Sequence, residues 1–326
     1  MIRSLVCPAL SEDFSTLRIE TRTLPPPGRG EVRVKMHAAA LNFPDLLMTQ
    51  GKYQVKPELP FSPSGEVAGM VVEVGAGVTG FAPGDRVMAC VGYGGARERV
   101  AVAADALVPI PKSVSDEIAA GLSVTYGTAI HGLRDRARLK AGETVAVLGA
   151  AGGAGLAAIE TAKLMGARVI AVASSEEKLA VCREHGADAA VNYGAPDLKA
   201  GLRALAGEAG VDVVYDCVGG PSTEAALRAL GWQGRLLVVG FASGEIPKIP
   251  LNLLLLKGAV AIGVFWGEAV KRDPAGHRRN MEDVLAWVAE GKLHPRVHAS
   301  FPLARTAEAI GVLDRREAIG KVILTI

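Results

Sequence analysis

Thr144–Ala173 reads TVAVLGAAGGAGLAAIETAKLMGARVIAVA. The apolar run Val145–Leu148, rich in β-branched residues, has the length and type of a strand buried on both faces. Six residues with almost no side chain follow, Gly149-Ala150-Ala151-Gly152-Gly153-Ala154, and then Gly155. Leu156, Ile159, Ala162, Lys163 and Leu164 recur at helical spacing, and Gly166 stands where a helix C-cap is expected. The second β-branched run, Val169–Ala173, completes strand, helix and strand within about 30 residues, the length of a βαβ unit.

The small residues give access. A pyrophosphate reaches the free N–H groups of a helix N-terminus only where no Cβ blocks its approach. Gly152 and Gly153 allow that approach, and Gly155 lets helix and strand pack closely. Ala150 opens the motif where the strict pattern has Gly, so the match is to a relaxed dinucleotide-binding turn. A site for NAD places an acid at the end of the second strand, about 20 residues past the glycines. Here the position reads Ser174-Ser175-Glu176-Glu177-Lys178. Two hydroxyls and an ammonium one turn into the next helix suit a ribose 2′-phosphate. Charge-assisted hydrogen bonds there translate into roughly a ten- to hundredfold preference for NADPH. Ser174 or Ser175 can also act as the N-cap of that helix, with Glu176 and Glu177 in its first turn.

A chain of 326 residues suits two domains, and 49% hydrophobic with 21% charged residues describes an ordinary globular protein. A net charge of +2 without a basic run gives no indication of nucleic acid or an anionic membrane as partner. Val145–Ile159, uncharged but rich in Gly, is too short to span a bilayer. The N-terminal MIRSLVCPAL has no leader pattern, so a cytoplasmic protein is expected. Cys7, Cys90, Cys182 and Cys217 are far apart and the six histidines are scattered, so no metal-ligand spacing is present.

Before the central unit the chain reads as β-rich, with strands expected at 17–21, 31–38, 67–74, 86–90 and 96–102. Pro25-Pro26-Pro27-Gly28, Gly75–Gly80 and Pro83-Gly84-Asp85 break them, which suggests a small barrel-like domain. Helices are expected from Ser115 and near 128–138. After Ala173 come helices at 176–185, 197–206 and 222–230, and strands at 189–192, 211–216, 235–240 and 260–266. Together they imply a doubly wound sheet of six mainly parallel strands. A helix at 279–290 and a strand at 321–326 most simply fold back onto the N-terminal domain. The α/β sheet, 122–264, is then inserted into a domain formed by 1–121 and 265–326, and a cleft between domains is expected to hold the substrate.

The chain resembles the zinc-free, zeta-crystallin-like NADPH:quinone oxidoreductases of the medium-chain dehydrogenase/reductase family, over essentially its whole length. LNFPDLLMTQGKY (Leu41–Tyr53), LPFSPSGEVAGMVVEVGAGVTGFAPGDRV (Leu59–Val87) and AAGGAGLAAIETAK (Ala150–Lys163) carry the resemblance. GADAAVNY (Gly186–Tyr193), VDVVYDCVGG (Val211–Gly220) and GKVIL (Gly320–Leu324) agree with it. It implies a Rossmann sheet inserted in a GroES-like catalytic domain. Zinc-dependent relatives have a Cys at the position of Asn42 and a His near Ser64-Gly65-Glu66, and they carry a four-cysteine lobe that is missing here. The resemblance therefore implies no metal, and hydride transfer from NADPH to an already activated acceptor.

By the same resemblance Phe43, Thr128 and His131 lie near the nicotinamide ribose, and Gly152, Gly153, Ala154 and Gly155 at the pyrophosphate. Ser174, Ser175, Lys178 and Tyr193 meet the 2′-phosphate end. Val218, Gly240, Phe241, Val264, Phe265, Trp266 and Arg316 close over the rest. Asn42, Asp45 and Tyr53 are the polar candidates for catalysis; Asn42 and Asp45 can equally hold their loop by turn-type side-chain bonds. Three features depart from the pattern. Ser64-Gly65 precede the glutamate, Ala154 replaces a Val, and Glu160 stands where many relatives have Gln, on a helix face expected to be open. The expected reaction is reduction of a quinone. The alternatives are reduction of an activated C=C bond (enone, haloacrylate or enoyl thioester) and non-catalytic NADPH binding. A homodimer is expected, because the apolar run 260–266 would otherwise be an exposed sheet edge.

Overall fold

The computed structural model describes residues 1–193 and 197–326. The chain divides into two compact units, one of Met1–Val124, Arg272–Gly291 and Pro295–Ile326, the other of Thr125–Lys271 and Lys292–His294.

The first unit is built on a sheet whose longest strand, Glu31–Leu41, carries three neighbours. Glu66–Val74 runs antiparallel along most of it, Arg99–Ala103 pairs with its start, and Lys321–Thr325 pairs with its end. Arg86–Cys90, Leu107–Pro109 and Val297–Pro302 extend the sheet, and Ile2–Val6 pairs separately with Arg18–Arg22. Alternating apolar residues such as Val32, Val34 and Met36 are buried with Val71, Val87, Leu107, Val322 and Leu324. Register shifts interrupt the pairing of 31–41 with 66–74, and the backbone is so close there that a Cβ on Gly69 would lie 2.0 Å from the carbonyl of Lys35. Glycine is required at that bulge. The sequence pattern missed the strand Ile2–Val6 and the short helix Phe43–Thr49.

The second unit is a six-stranded parallel sheet in the order Ala189–Asn192, Arg168–Ala173, Thr144–Leu148, Val211–Asp216, Leu230–Val238, Val260–Gly263. That is the doubly wound order 3-2-1-4-5-6, with its switch point beside Thr144–Leu148. All five residues of this central strand are buried. The helix expected over 128–138 is instead Ser123–Ile130 followed by a π-helical turn, His131–Arg136. The strand expected over 260–266 stops at Gly263, and Trp266 begins the helix Trp266–Arg272. Among the described residues no helix is long and apolar enough to cross a membrane.

Candidate functional site

Within the α/β unit the glycine turn follows the central strand. Gly149 has φ +72°, and Gly152 is the N-cap of the helix Gly153–Leu164. A Cβ on Gly155 would stand 2.3 Å from the carbonyl of Gly149, so only glycine lets the helix start this close to the turn. A Cβ on Gly152 would meet nothing nearer than 3.5 Å, which leaves the approach to the helix N-terminus open. The N–H groups of Gly153, Ala154 and Gly155 have no partner within the helix, since the first helical bond is Leu156 N–H to the carbonyl of Gly152. Unpaired donors and the positive end of the helix dipole make a seat for a pyrophosphate.

Two carboxyl-end loops hold this turn in shape. The hydroxyl of Tyr193 accepts the N–H of Gly149 at 2.7 Å, and burial pushes the phenol pKa up. Tyr193, expected at the 2′-phosphate end, is half-buried and its hydroxyl supports the first glycine. Asp216, buried at the end of Val211–Asp216, accepts the N–H groups of Val218 and Gly219 at 2.8 and 2.9 Å and the hydroxyl of Thr223. It was missed, although an acid closing the apolar run VDVVYD was its signal. Beyond the second strand, Ser174 is exposed and its hydroxyl lies 3.4 Å from the ammonium of Lys178. Ser175 is the N-cap of Glu176–Glu184, accepting the Lys178 N–H at 3.3 Å. Of the two serines, Ser175 is the one that caps the helix.

Thr128 and Val264 are buried, His131 lies 3.4 Å from Asp135, and Val218, Gly240 and Phe241 are half-buried. Phe265 is exposed, whereas a Cβ on Gly127 would strike the ring of Trp266 at 2.7 Å, so that glycine makes room for the indole. Glu160, expected on an open face, is buried. Its carboxylate accepts the hydroxyl of Tyr126 at 2.6 Å and the N–H of His294 at 3.1 Å, and pairs with Nδ1 of His185 at 2.6 Å.

Within the barrel unit Asn42 and Asp45 belong to a second constellation. Asp45, fully buried, accepts the backbone N–H of Asn42 at 2.8 Å and of Ser64 at 2.7 Å, which pins the loop around the left-handed Ser64 (φ +72°). Burial outweighs those two donors and pushes its pKa up to about 7. The Asn42 side chain also reaches two buried charged groups. Its Oδ1 accepts from the Lys321 ammonium at 2.6 Å and its Nδ2 donates to Glu66 at 2.7 Å. Lys321 also donates to Glu66 at 2.7 Å, and the other Glu66 oxygen accepts the N–H of Val124 at 2.6 Å. Tyr53 packs by Cys7, Met48 and Phe61, and burial raises its phenol pKa. Phe43 packs against the barrel core, and Arg316 sits exposed at a left-handed turn (φ +57°) after the helix Thr306–Asp314. Lys321 and Glu66 were missed as a pair; a lysine opening the apolar closing strand KVILT was the available signal.

Two family models match the chain, the alcohol dehydrogenase GroES-like domain over residues 28–112 and the zinc-binding dehydrogenase over residues 153–290. The residues present do not fit a zinc ion. Among the described residues no group of three or more His, Cys, Asp or Glu could hold a metal, and an ammonium already joins Asn42 to Glu66. The quinone oxidoreductase-like protein 2 homolog of Nematostella vectensis is 41% identical over 328 residues, 99% of this chain and 87% of that protein. The acryloyl-coenzyme A reductase of Metallosphaera sedula is 33% identical over 92% of this chain and 94% of its own. The Escherichia coli quinone oxidoreductase, solved with NADPH, superposes with a TM-score of 0.89 at 27% identity, covering 100% of this chain and 99% of that one.

Proposed function

The chain belongs to the medium-chain dehydrogenase/reductase family, in its zeta-crystallin-like quinone oxidoreductase group, and from that premise we propose that it reduces a quinone with NADPH. The observation that carries the cofactor reading is the pairing of the Ser174 hydroxyl with the Lys178 ammonium where an NAD site has an acid. NADPH, when bound, supplies the hydride. The N–H groups of Gly153, Ala154 and Gly155 hold its pyrophosphate, and Ser174, Ser175 and Lys178 hold the 2′-phosphate. Thr128, His131, Val218, Gly240, Phe241, Val264, Phe265 and Trp266 complete the shell within this unit. Tyr193 and Asp216 keep the two loops in place through their bonds to Gly149, Val218 and Gly219.

On the acceptor side, Asn42 and Tyr53 orient the oxygen on which negative charge develops, and Asp45 fixes the loop that presents Asn42. Water supplies the proton that completes a quinol, so no side chain has to act as general acid. The likeness to an acryloyl-coenzyme A reductase favours a second reading, hydride delivery to the β-carbon of an enone or enoyl thioester. The protein acts in this reading as a cytoplasmic homodimer. NADPH oxidation at 340 nm tests it, with 9,10-phenanthrenequinone, an enone and an enoyl thioester as acceptors. Turnover with the quinone is expected. Turnover confined to the other acceptors moves the assignment to C=C reduction, and NADPH binding without turnover leaves a binding protein.

A further inference from the structure

We infer that Lys321 is a positioning residue for the acceptor site: it locks the Asn42 amide in one orientation, so that the remaining Nδ2–H faces the substrate oxygen. The inference rests on the reductase reading above. It starts from burial. Glu66 and Lys321 are an interior ion pair, with side chains only 1% and 7% exposed. Asp45 and Ser64 beside them are buried too, and Asn42 alone in the group is partly open to solvent. An interior ion pair is a costly way to fill space, and apolar residues of similar volume commonly serve stability as well or better. What this pair does that apolar residues could not is hold a terminal amide by both ends.

The bonding permits one orientation. Lys321 has only hydrogens to give and Glu66, ionised, only lone pairs. Oδ1 of Asn42 faces the ammonium at 2.6 Å and Nδ2 faces the carboxylate at 2.7 Å. A flipped amide would set oxygen against carboxylate and N–H against ammonium, losing two charge-assisted bonds and gaining two repulsions. The carboxylate is itself anchored by the N–H of Val124. The backbone N–H of Asn42 is anchored by Asp45. The second Nδ2–H of Asn42 has no partner among the described residues. The ammonium polarises the amide through Oδ1, which makes that N–H a better donor to a carbonyl gaining negative charge.

The closing strand explains why the lysine comes from so far away in sequence. Val322 pairs with Leu41, so Lys321 arrives beside Asn42 one residue further along each strand.

The test uses Asn42→Ala, the charge-balanced pair Lys321→Met with Glu66→Gln, and the triple variant. The pair removes both buried charges together and so avoids leaving Glu66 unpaired. Its fold is checked by circular dichroism, and its NADPH affinity is expected to equal that of wild type. With phenanthrenequinone, kcat of the pair is expected to fall about tenfold, the value of exchanging a charge-assisted hydrogen bond for a neutral one. Asn42→Ala should lose more, and the triple variant should be no slower than Asn42→Ala. Independent, multiplying losses in the triple variant, or a folded pair with wild-type kcat, would overturn the inference. The side-chain 15N–1H signals of Asn42 give a readout separate from turnover. In wild type the two proton shifts should lie far apart, one of them set by the Glu66 carboxylate, and in the pair both should move towards the values of a solvated amide. If wild type reduces no acceptor, the reductase reading fails while this spectrum still decides the orientation: signals unchanged between the two proteins sink it.

Discussion

Lys178 and Asp45 carry the most exposed predictions at the scale of single residues. With its ammonium 3.4 Å from the Ser174 hydroxyl, Lys178 is the residue proposed above to hold the 2′-phosphate. Lys178→Ala should weaken NADPH roughly ten- to a hundredfold and leave NADH nearly unchanged, read as two dissociation constants by fluorescence. An equal loss for both cofactors would remove the residue from the 2′-phosphate site. Asp45 makes a statement about pH. Burial holds it at about 7, while an unfolded aspartate titrates near ~3.9. Between those values the folded chain binds the extra proton. The contribution of Asp45 to stability is therefore full at acid pH and is lost as pH rises through about 7. Asn at position 45 offers one acceptor to two backbone N–H groups, so Asp45→Asn should cost about 1–3 kcal/mol at pH 5. Urea unfolding should show that gap narrowing by on the order of 2 kcal/mol towards pH 8. A gap that widens with pH would contradict it.

At the scale of elements, periodicity and glycine placement made the strand–helix–strand of 144–173 legible, since each local preference there agrees with the fold. The structure returns it as Thr144–Leu148, Gly153–Leu164 and Arg168–Ala173. The helix Phe43–Thr49 was not legible: it is seven residues long and held by Asp45 and its loop, not by an apolar stripe. Nor was the burial of Glu160, because its partners Tyr126, His185 and His294 lie far from it in sequence. That carboxylate ties Tyr126 of the helix Ser123–Ile130, His185 at the end of Glu176–Glu184 and the His294 backbone to the glycine-turn helix. Glu160→Gln keeps an acceptor for Tyr126 and the His294 N–H and should cost about 1 kcal/mol. Glu160→Leu strands both donors and the histidine and should cost about 3 kcal/mol or more. Equal stabilities in urea would show that the network is not coupled to folding.

At the scale of the whole molecule, the six-stranded, mainly parallel sheet followed from counting alternating elements, whereas the lysine that joins Asn42 to Glu66 could come only from tertiary pairing of the chain end. The edge strand Val260–Gly263 and its neighbours Leu251, Leu255 and Leu256 leave apolar surface exposed, Leu255 at 80%. Such an edge pairs with a second copy about a two-fold axis in the homodimer proposed here. Sedimentation should give twice the 33.8 kDa chain mass for wild type and the single mass for Val260→Asp. A monomeric wild type at micromolar concentration would refute the dimer. The central claim is hydride transfer from NADPH to a quinone, and anaerobic single turnover with NADPH deuterated at either C4 position tests it most directly. The account predicts one quinol formed per NADPH consumed, with a primary isotope effect from one of the two labelled isomers. Bound NADPH that survives unchanged in the presence of quinone would contradict it.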